Sequence, residues 1–94
     1  MRVEWTRRAL RALKGIAEYI ARDRPGAAGR MVLRLREAAE VLQDHPELGR
    51  EGRVPGTREL VVSGTPFIVP YRIQHDSVQI LTILHAARRW PEDF

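Results

Sequence analysis

Arg58, Glu59, Arg72, His85, Arg88 and Arg89 are the side chains of this sequence with the most capacity for chemistry, and all lie in its second half. Arginines present rigid forks of donors that match phosphate oxygens, and His85 or Glu59 could move a proton. Together they make the inventory for metal-independent RNA cleavage, in which a 2′-OH attacks its own phosphate. The same residues are also what ordinary ion pairs on a sheet rim look like, so the residues alone leave both readings open. Other chemistries find less support. His45, His75 and His85 lack the helical spacings that gather metal ligands, so no metal site is expected. The absence of cysteine excludes thiolate ligands, a thiol nucleophile and disulfides, and suits a reducing compartment. There is no Gly-x-Ser-x-Gly elbow, Gly-rich phosphate loop or dinucleotide fingerprint, and hence no cofactor is expected.

These residues need a scaffold, and the pattern of apolar residues predicts one. Arg2-Val3-Glu4-Trp5 alternates as a short strand with Val3 and Trp5 inward, and Thr6 is a good N-cap for the helix that follows. From Arg7 to Arg22, Leu10, Leu13, Ile16, Ala17 and Ile20 form one apolar stripe, leaving Arg8, Arg11, Glu18 and Arg22 outside. Gly15 in mid-helix costs about 1 kcal/mol against Ala and suggests close packing by a neighbour. Asp23-Arg24-Pro25-Gly26 breaks the helix and Pro25 opens a second, with Ala28, Met31, Leu35, Ala39 and Leu42 as its stripe. Two helices joined so briefly should form an antiparallel hairpin.

After a loop from Glu47 to Gly56, three β-rich runs follow: Thr57–Val62, Phe67–Ile73 and Val78–His85. They predict an antiparallel meander, with Phe67, Val69, Tyr71 and Ile73 on one face of the second run. Val78, Ile80, Thr82 and Leu84 share a face of the third, which is apolar on both sides and therefore interior. By that parity His85 points with Leu81 and Ile83. An imidazole among apolar neighbours is more often structural than catalytic. Pro70 cannot donate to a ladder, so a bulge or an unpaired position is expected there. Asp76-Ser77 reads as turn chemistry. Trp90, followed by Pro91, should fold back as a hydrophobic stop.

The 94 residues make one domain, 1–94, with a small core in two layers. The formal charge is +4, and residues 1–24 account for all of it, with seven basic against three acidic side chains. Such a helix is either a solvated face or a surface that steers the protein toward nucleic acid or an acidic partner. No apolar run approaches the ~18–20 residues of a membrane span, and no leader-like segment is seen. A cytoplasmic protein with no membrane partner is expected.

The ordered wording is more specific than any single piece. Trp5-Thr6 precedes a helix with Ile16 and Tyr19-Ile20, and His45-Pro46-Glu47-Leu48-Gly49-Arg50 precedes Gly56-Thr57-Arg58-Glu59-Leu60. Phe67-Ile68-Val69-Pro70-Tyr71-Arg72-Ile73 then leads to Ile80-Leu81-Thr82-Ile83-Leu84-His85-Ala86-Ala87-Arg88. Over almost the whole chain this resembles the RelE/ParE superfamily of bacterial type II toxins, also known as plasmid-stabilisation proteins.

The resemblance implies a small α+β toxin: an N-terminal strand, a helical hairpin packed on a mainly antiparallel sheet, and a C-terminal meander. It also implies a cognate antitoxin that neutralises the toxin, and with it a toxin–antitoxin hetero-oligomer. RelE-like members cleave mRNA on the ribosome, whereas ParE-like members inhibit DNA gyrase. The ribonuclease branch carries a basic residue in the strand before the Tyr that matches Tyr71, where this chain has Phe67, Ile68, Val69 and Pro70. That branch also tends to carry a catalytic Tyr, or a His-Tyr pair, near the C-terminus, whereas this chain ends Arg88-Arg89-Trp90-Pro91-Glu92-Asp93-Phe94. The expectation is therefore a ParE-like gyrase inhibitor with Arg88, Arg89 and Trp90 as target-binding residues. The alternatives are a ribosome-dependent ribonuclease using Arg58, Glu59, Arg72, His85 and Arg88, and a non-toxic relative that binds only its antitoxin.

Overall fold

Thr6 makes the junction from which the fold is built. In the computed structural model, which describes residues 1–94, β1 covers Arg2–Trp5 and α1 covers Arg7–Ala21. The Thr6 hydroxyl oxygen accepts from the Ala9 N–H at 3.1 Å, satisfying one free donor of the first helical turn. The same hydroxyl donates to the Ile80 carbonyl at 2.8 Å, and the Thr6 N–H donates to that carbonyl at 3.1 Å. One residue thus caps α1 and ties its start to a strand 74 positions away.

The second helix, α2, spans Pro25–Glu40 and continues as a single 3-10 turn, Val41–Gln43. Pro25 sits at its first position, where the missing N–H costs nothing. The short link folds α2 back on α1 as the expected hairpin. Ala9, Leu13, Leu35, Ala39 and Leu42 are buried in the core. Leu10, expected on the inner stripe, is 49% exposed. The sheet lies along the Ala9, Leu13, Ile16 side, and Leu10 stands about 100° round the helix from Ala9. Gly15 also departs from expectation: a Cβ there would meet nothing within 4 Å, so it borders open space rather than a tight contact.

The sheet holds β2 (Arg50–Glu51), β3 (Arg58–Val61), β4 (Phe67–Gln74), β5 (Ser77–Ile80) and β6 (Leu84–His85) beside β1. Its order is β1-β5-β4-β3-β2, with β6 also on β4. β1 pairs parallel with β5, Val3 opposite Val78, and every other pairing is antiparallel. Leu60, Val62, Val69, Tyr71, Val78 and Ile80 face the helices and share one core with them. Removing a side chain such as fully buried Leu35 should cost about 2–5 kcal/mol.

The third expected strand is in fact two. Tyr71 pairs with Ile80, but Ile68 pairs with Leu84 and Phe67 with His85. Residues 81–83 therefore oppose only Val69 and Pro70, which is a β-bulge. Pro70 stands at that bulge: its carbonyl accepts from the Leu81 N–H at 3.0 Å, and its ring occupies the place where a ladder donor would be needed. The extra residue reverses the alternation beyond it. Thr82 and Leu84 do not continue the face of Val78 and Ile80; Ile83 joins the core instead, and His85 comes onto the face of Phe67.

The β4–β5 turn is made by His75 and Asp76, both at positive φ (52° and 60°). That is the backbone of a two-residue hairpin whose twist matches the strands. Ser77 is already the first residue of β5, and its hydroxyl donates to the Gln74 carbonyl at 3.0 Å.

Candidate functional site

The candidate residues fall in three separate places along β3 and β4. At the first, Tyr71 is fully buried. Its phenol donates to the Pro46 carbonyl at 2.7 Å and accepts from the Gly49 N–H at 2.8 Å. Glycine is required at 49, because a Cβ would stand 2.6 Å from Tyr71 Cε1 and 2.7 Å from its oxygen. Burial pushes the Tyr71 phenol above its ordinary range, against the opposing pull of the Gly49 hydrogen bond and the Arg58 charge. A neutral, sealed phenol is a latch on the preceding loop, with no access to a reacting phosphate.

Arg58, paired with Tyr71 across the ladder, supports that latch by donating to the carbonyls of Gly49 (2.8 Å) and Glu47 (3.3 Å). Arg72 donates through Nε to the Gln79 side-chain carbonyl at 2.8 Å. The two arginines meet at a polar cleft of about 370 Å³, together with Glu51 and Thr57. The structure therefore brings Arg58 near Arg72.

At the second place, Glu59 is opposite Pro70 on the sheet face away from the helices and is only 3% exposed. One carboxylate oxygen accepts from Arg50 Nε and Nη2, at 3.2 and 3.1 Å. The other accepts from the Arg53 N–H at 2.8 Å and from Arg53 Nε at 3.2 Å. Burial pushes this carboxyl up, but the Arg53 N–H and the two guanidinium groups more than offset it, so its pKa lies below the usual carboxylate value. A base needs a free lone pair and a path to the proton. Glu59 has neither.

The third place is the Phe67 end of β4. The His85 ring meets Phe67 edge to face, with centroids 5.8 Å apart. His85 Nδ1 accepts from the Ala87 N–H at 3.1 Å, which leaves Nε2 to carry the proton of the neutral ring. His85, Arg88 and Arg89 border a groove of about 420 Å³ between α1 and β4–β6. Its walls are mostly apolar, including Ile16, Ile20, Phe67 and Ile83, and Gly15 opens its floor. Phe67, opposite His85, and Tyr71, opposite Arg58, stand four positions apart on β4, or about 13 Å of strand.

Trp90 does fold back, though onto a loop side chain: the Arg53 guanidinium lies 3.6 Å from the centre of its indole ring. Trp90 Nε1 is buried without a partner, and the ring is half-buried. Farther on, Arg8 lies over the Phe94 ring at 5.5 Å. Arg88 and Arg89 are exposed and make no ion pair.

Arg50 and Arg53 are the residues that sequence reasoning passed over. Arg50 opens the two-residue strand β2 and Arg53 lies in the loop after it, a stretch without periodicity, and only the partnering of β3 with β2 shows that they hold Glu59. No three His, Cys, Asp or Glu side chains gather as metal ligands, and no helix is long and apolar enough to cross a membrane. The geometry offers binding surfaces of two kinds: an apolar groove with a cationic mouth, and a polar cleft with two arginines.

Comparison with known proteins agrees with this frame. The family model for the ParE toxin of the type II toxin–antitoxin system parDE matches residues 3–90. Y4kP of Sinorhizobium fredii is 50% identical over 91 residues, covering 97% of this chain and 94% of that protein. Toxin RelE2 of Caulobacter vibrioides is 45% identical over 86 residues, covering 92% and 96%. Among solved structures, a chain of the chromosomal ParDE toxin–antitoxin system from P. aeruginosa superposes with a TM-score of 0.84 at 32% identity, over 90% of this chain and 95% of that one. The E. coli RelBE toxin–antitoxin complex shares the fold, at a TM-score of 0.63 and 12% identity over 94% and 98%. With its helical hairpin on a mixed, mostly antiparallel sheet and a family match over nearly its whole length, the chain belongs to the ParE toxin family of type II toxin–antitoxin systems.

Proposed function

We propose that this toxin acts by binding DNA gyrase and inhibiting it, and that a cognate antitoxin silences it by laying an amphipathic segment in the groove between α1 and β4–β6. The observation that carries the gyrase reading is the dispersal of the acid–base inventory. Glu59 is consumed by Arg50 and Arg53, Tyr71 is sealed, and His85 lies about 13 Å of strand away from the Arg58 register. The likeness to a ParDE toxin–antitoxin system at 32% identity supports the same choice.

Arg88 and Arg89 then serve as a binding surface, exposed and free of internal partners. Trp90, stacked under Arg53, contributes by holding the C-terminal segment in place. For the antitoxin, Ile16, Ile20 and Phe67 receive apolar side chains, while carboxylates reach Arg88 and Arg89 at the mouth. The resulting toxin–antitoxin hetero-oligomer works in the cytoplasm.

A supercoiling assay with purified toxin tests the target: inhibition is expected near equimolar toxin, and full activity at a large molar excess would exclude it. The ribonuclease alternative has one favourable observation, the meeting of Arg58 and Arg72 at a cleft. It requires codon-linked mRNA cleavage in a translation extract, lost in Arg58→Ala or Arg72→Ala. The non-toxic alternative requires unimpaired growth on induction without antitoxin.

A further inference from the structure

The outward face of α1 carries Arg7, Arg11 and Lys14, all exposed, on one line of the helix. Opposite them lie Ala9, Leu13 and Ile16, which face the core, so the three cations point straight to solvent. None of the three makes a hydrogen bond or an ion pair within the chain, although Arg8 and Arg22 beside them rest on Phe94 and Tyr19. Residues 1–24 also hold the whole formal charge excess of the protein. Glu18 is the one carboxylate on the line, and it lies beyond Lys14.

The geometry points to this face as a docking surface for the phosphate backbone of duplex DNA. Arg7 to Lys14 rises about 10 Å, which spans roughly three phosphates of one strand at about 3.4 Å each along the axis. Leu10 is the only large apolar side chain exposed on this part of α1, too little for the apolar centre of a protein–protein interface. A face that is polar and strongly positive is what nucleic-acid interfaces present. An unpaired strand is less well served, because no aromatic ring on the line offers a base a stacking platform. This surface is distinct from the groove and does not depend on which enzyme the toxin disables. The DNA contact itself is independent of the target, and with gyrase as target it would hold the toxin on the DNA where that enzyme works.

The test is fluorescence anisotropy of the full chain with a labelled duplex of arbitrary sequence, titrated at several salt concentrations. Three phosphate contacts predict a slope of log affinity against log salt of about −2.7, or about a 40-fold loss between 50 and 200 mM. Arg7→Gln/Arg11→Gln/Lys14→Gln should bring that slope close to zero with the circular dichroism spectrum unchanged. Arg24→Gln/Arg30→Gln/Arg36→Gln removes the same charge from α2 and the residue that precedes it and should leave the slope intact. Absence of binding at 50 mM salt, an equal loss in both variants, or tighter binding of the single strand would overturn the proposal. Tighter binding of a poly-glutamate peptide than of the duplex would also overturn it, by assigning the face to an acidic protein.

Discussion

Replacing Glu59 by Gln keeps the shape of the side chain and removes its charge. The carboxylate is 3% exposed and accepts four hydrogen bonds, three of them from guanidinium groups. A fully buried pair broken this way would cost about 3–5 kcal/mol. Here the Arg50 and Arg53 side chains are 55% and 51% exposed and can regain water, so the loss should be smaller. About 2 kcal/mol is expected, which for a domain of this size lowers Tm by about 8–16 °C. The pH dependence separates this account from a packing defect. Glu59 has a depressed pKa in the folded state, so its contribution is fully present above the unfolded value of about 4.3 and is lost as pH falls through the folded one. Thermal melts followed by circular dichroism at pH 7 should show the full gap between wild type and Glu59→Gln. The gap should begin to narrow as pH falls below the ordinary carboxylate value and should close once the folded Glu59 is itself protonated. A gap that stays constant as the carboxylate titrates, or one under about 2 °C at pH 7, would mean that Glu59 does not stabilise the fold through its charge.

Three further outcomes follow from the same geometry. Tyr71→Phe strands the Gly49 N–H and the Pro46 carbonyl in a buried corner and should cost about 1–3 kcal/mol in chemical denaturation; because burial raises the Tyr71 pKa, the wild-type advantage should begin to shrink as pH rises above about 10 and be lost through the higher folded value. Gly15→Ala meets no atom within 4 Å and should raise stability by about 1 kcal/mol, while Gly15→Leu, projecting into the groove, should weaken antitoxin binding in calorimetry without unfolding the toxin. Asp76→Gly relieves a side chain at φ 60° and should add up to about 1 kcal/mol, read as a higher denaturation midpoint.

Much of this fold can be read from periodicity. The hairpin, the Thr6 cap, three of the strands and the bulge at Pro70 all follow from short-range rules, because each depends on a residue and its near neighbours. The parallel pairing of β1 with β5 does not, since it joins residues about 75 positions apart and no local pattern encodes the choice of partner. The bulge was foreseeable, but its consequence was harder to see: one extra residue moves His85 onto the face of Phe67 and carries Ile83 into the core. Leu10 misled because an apolar stripe is wider than the strip of helix that the sheet covers. The site was the least legible part. Arg58 and Arg72 do meet, but Glu59 is claimed by Arg50 of the two-residue β2 and by Arg53 just beyond it, whose positions follow no period.

The measurement that bears most directly on the function is gyrase-catalysed supercoiling of a relaxed plasmid, with purified toxin added alone and with its antitoxin. A gyrase inhibitor should abolish supercoiling near one toxin per gyrase, equimolar antitoxin should restore it, and His85→Ala should inhibit as strongly as wild type. Unaffected supercoiling at a large excess of toxin, together with ribosome-dependent mRNA cleavage abolished by Arg58→Ala or Arg72→Ala, would contradict the gyrase reading.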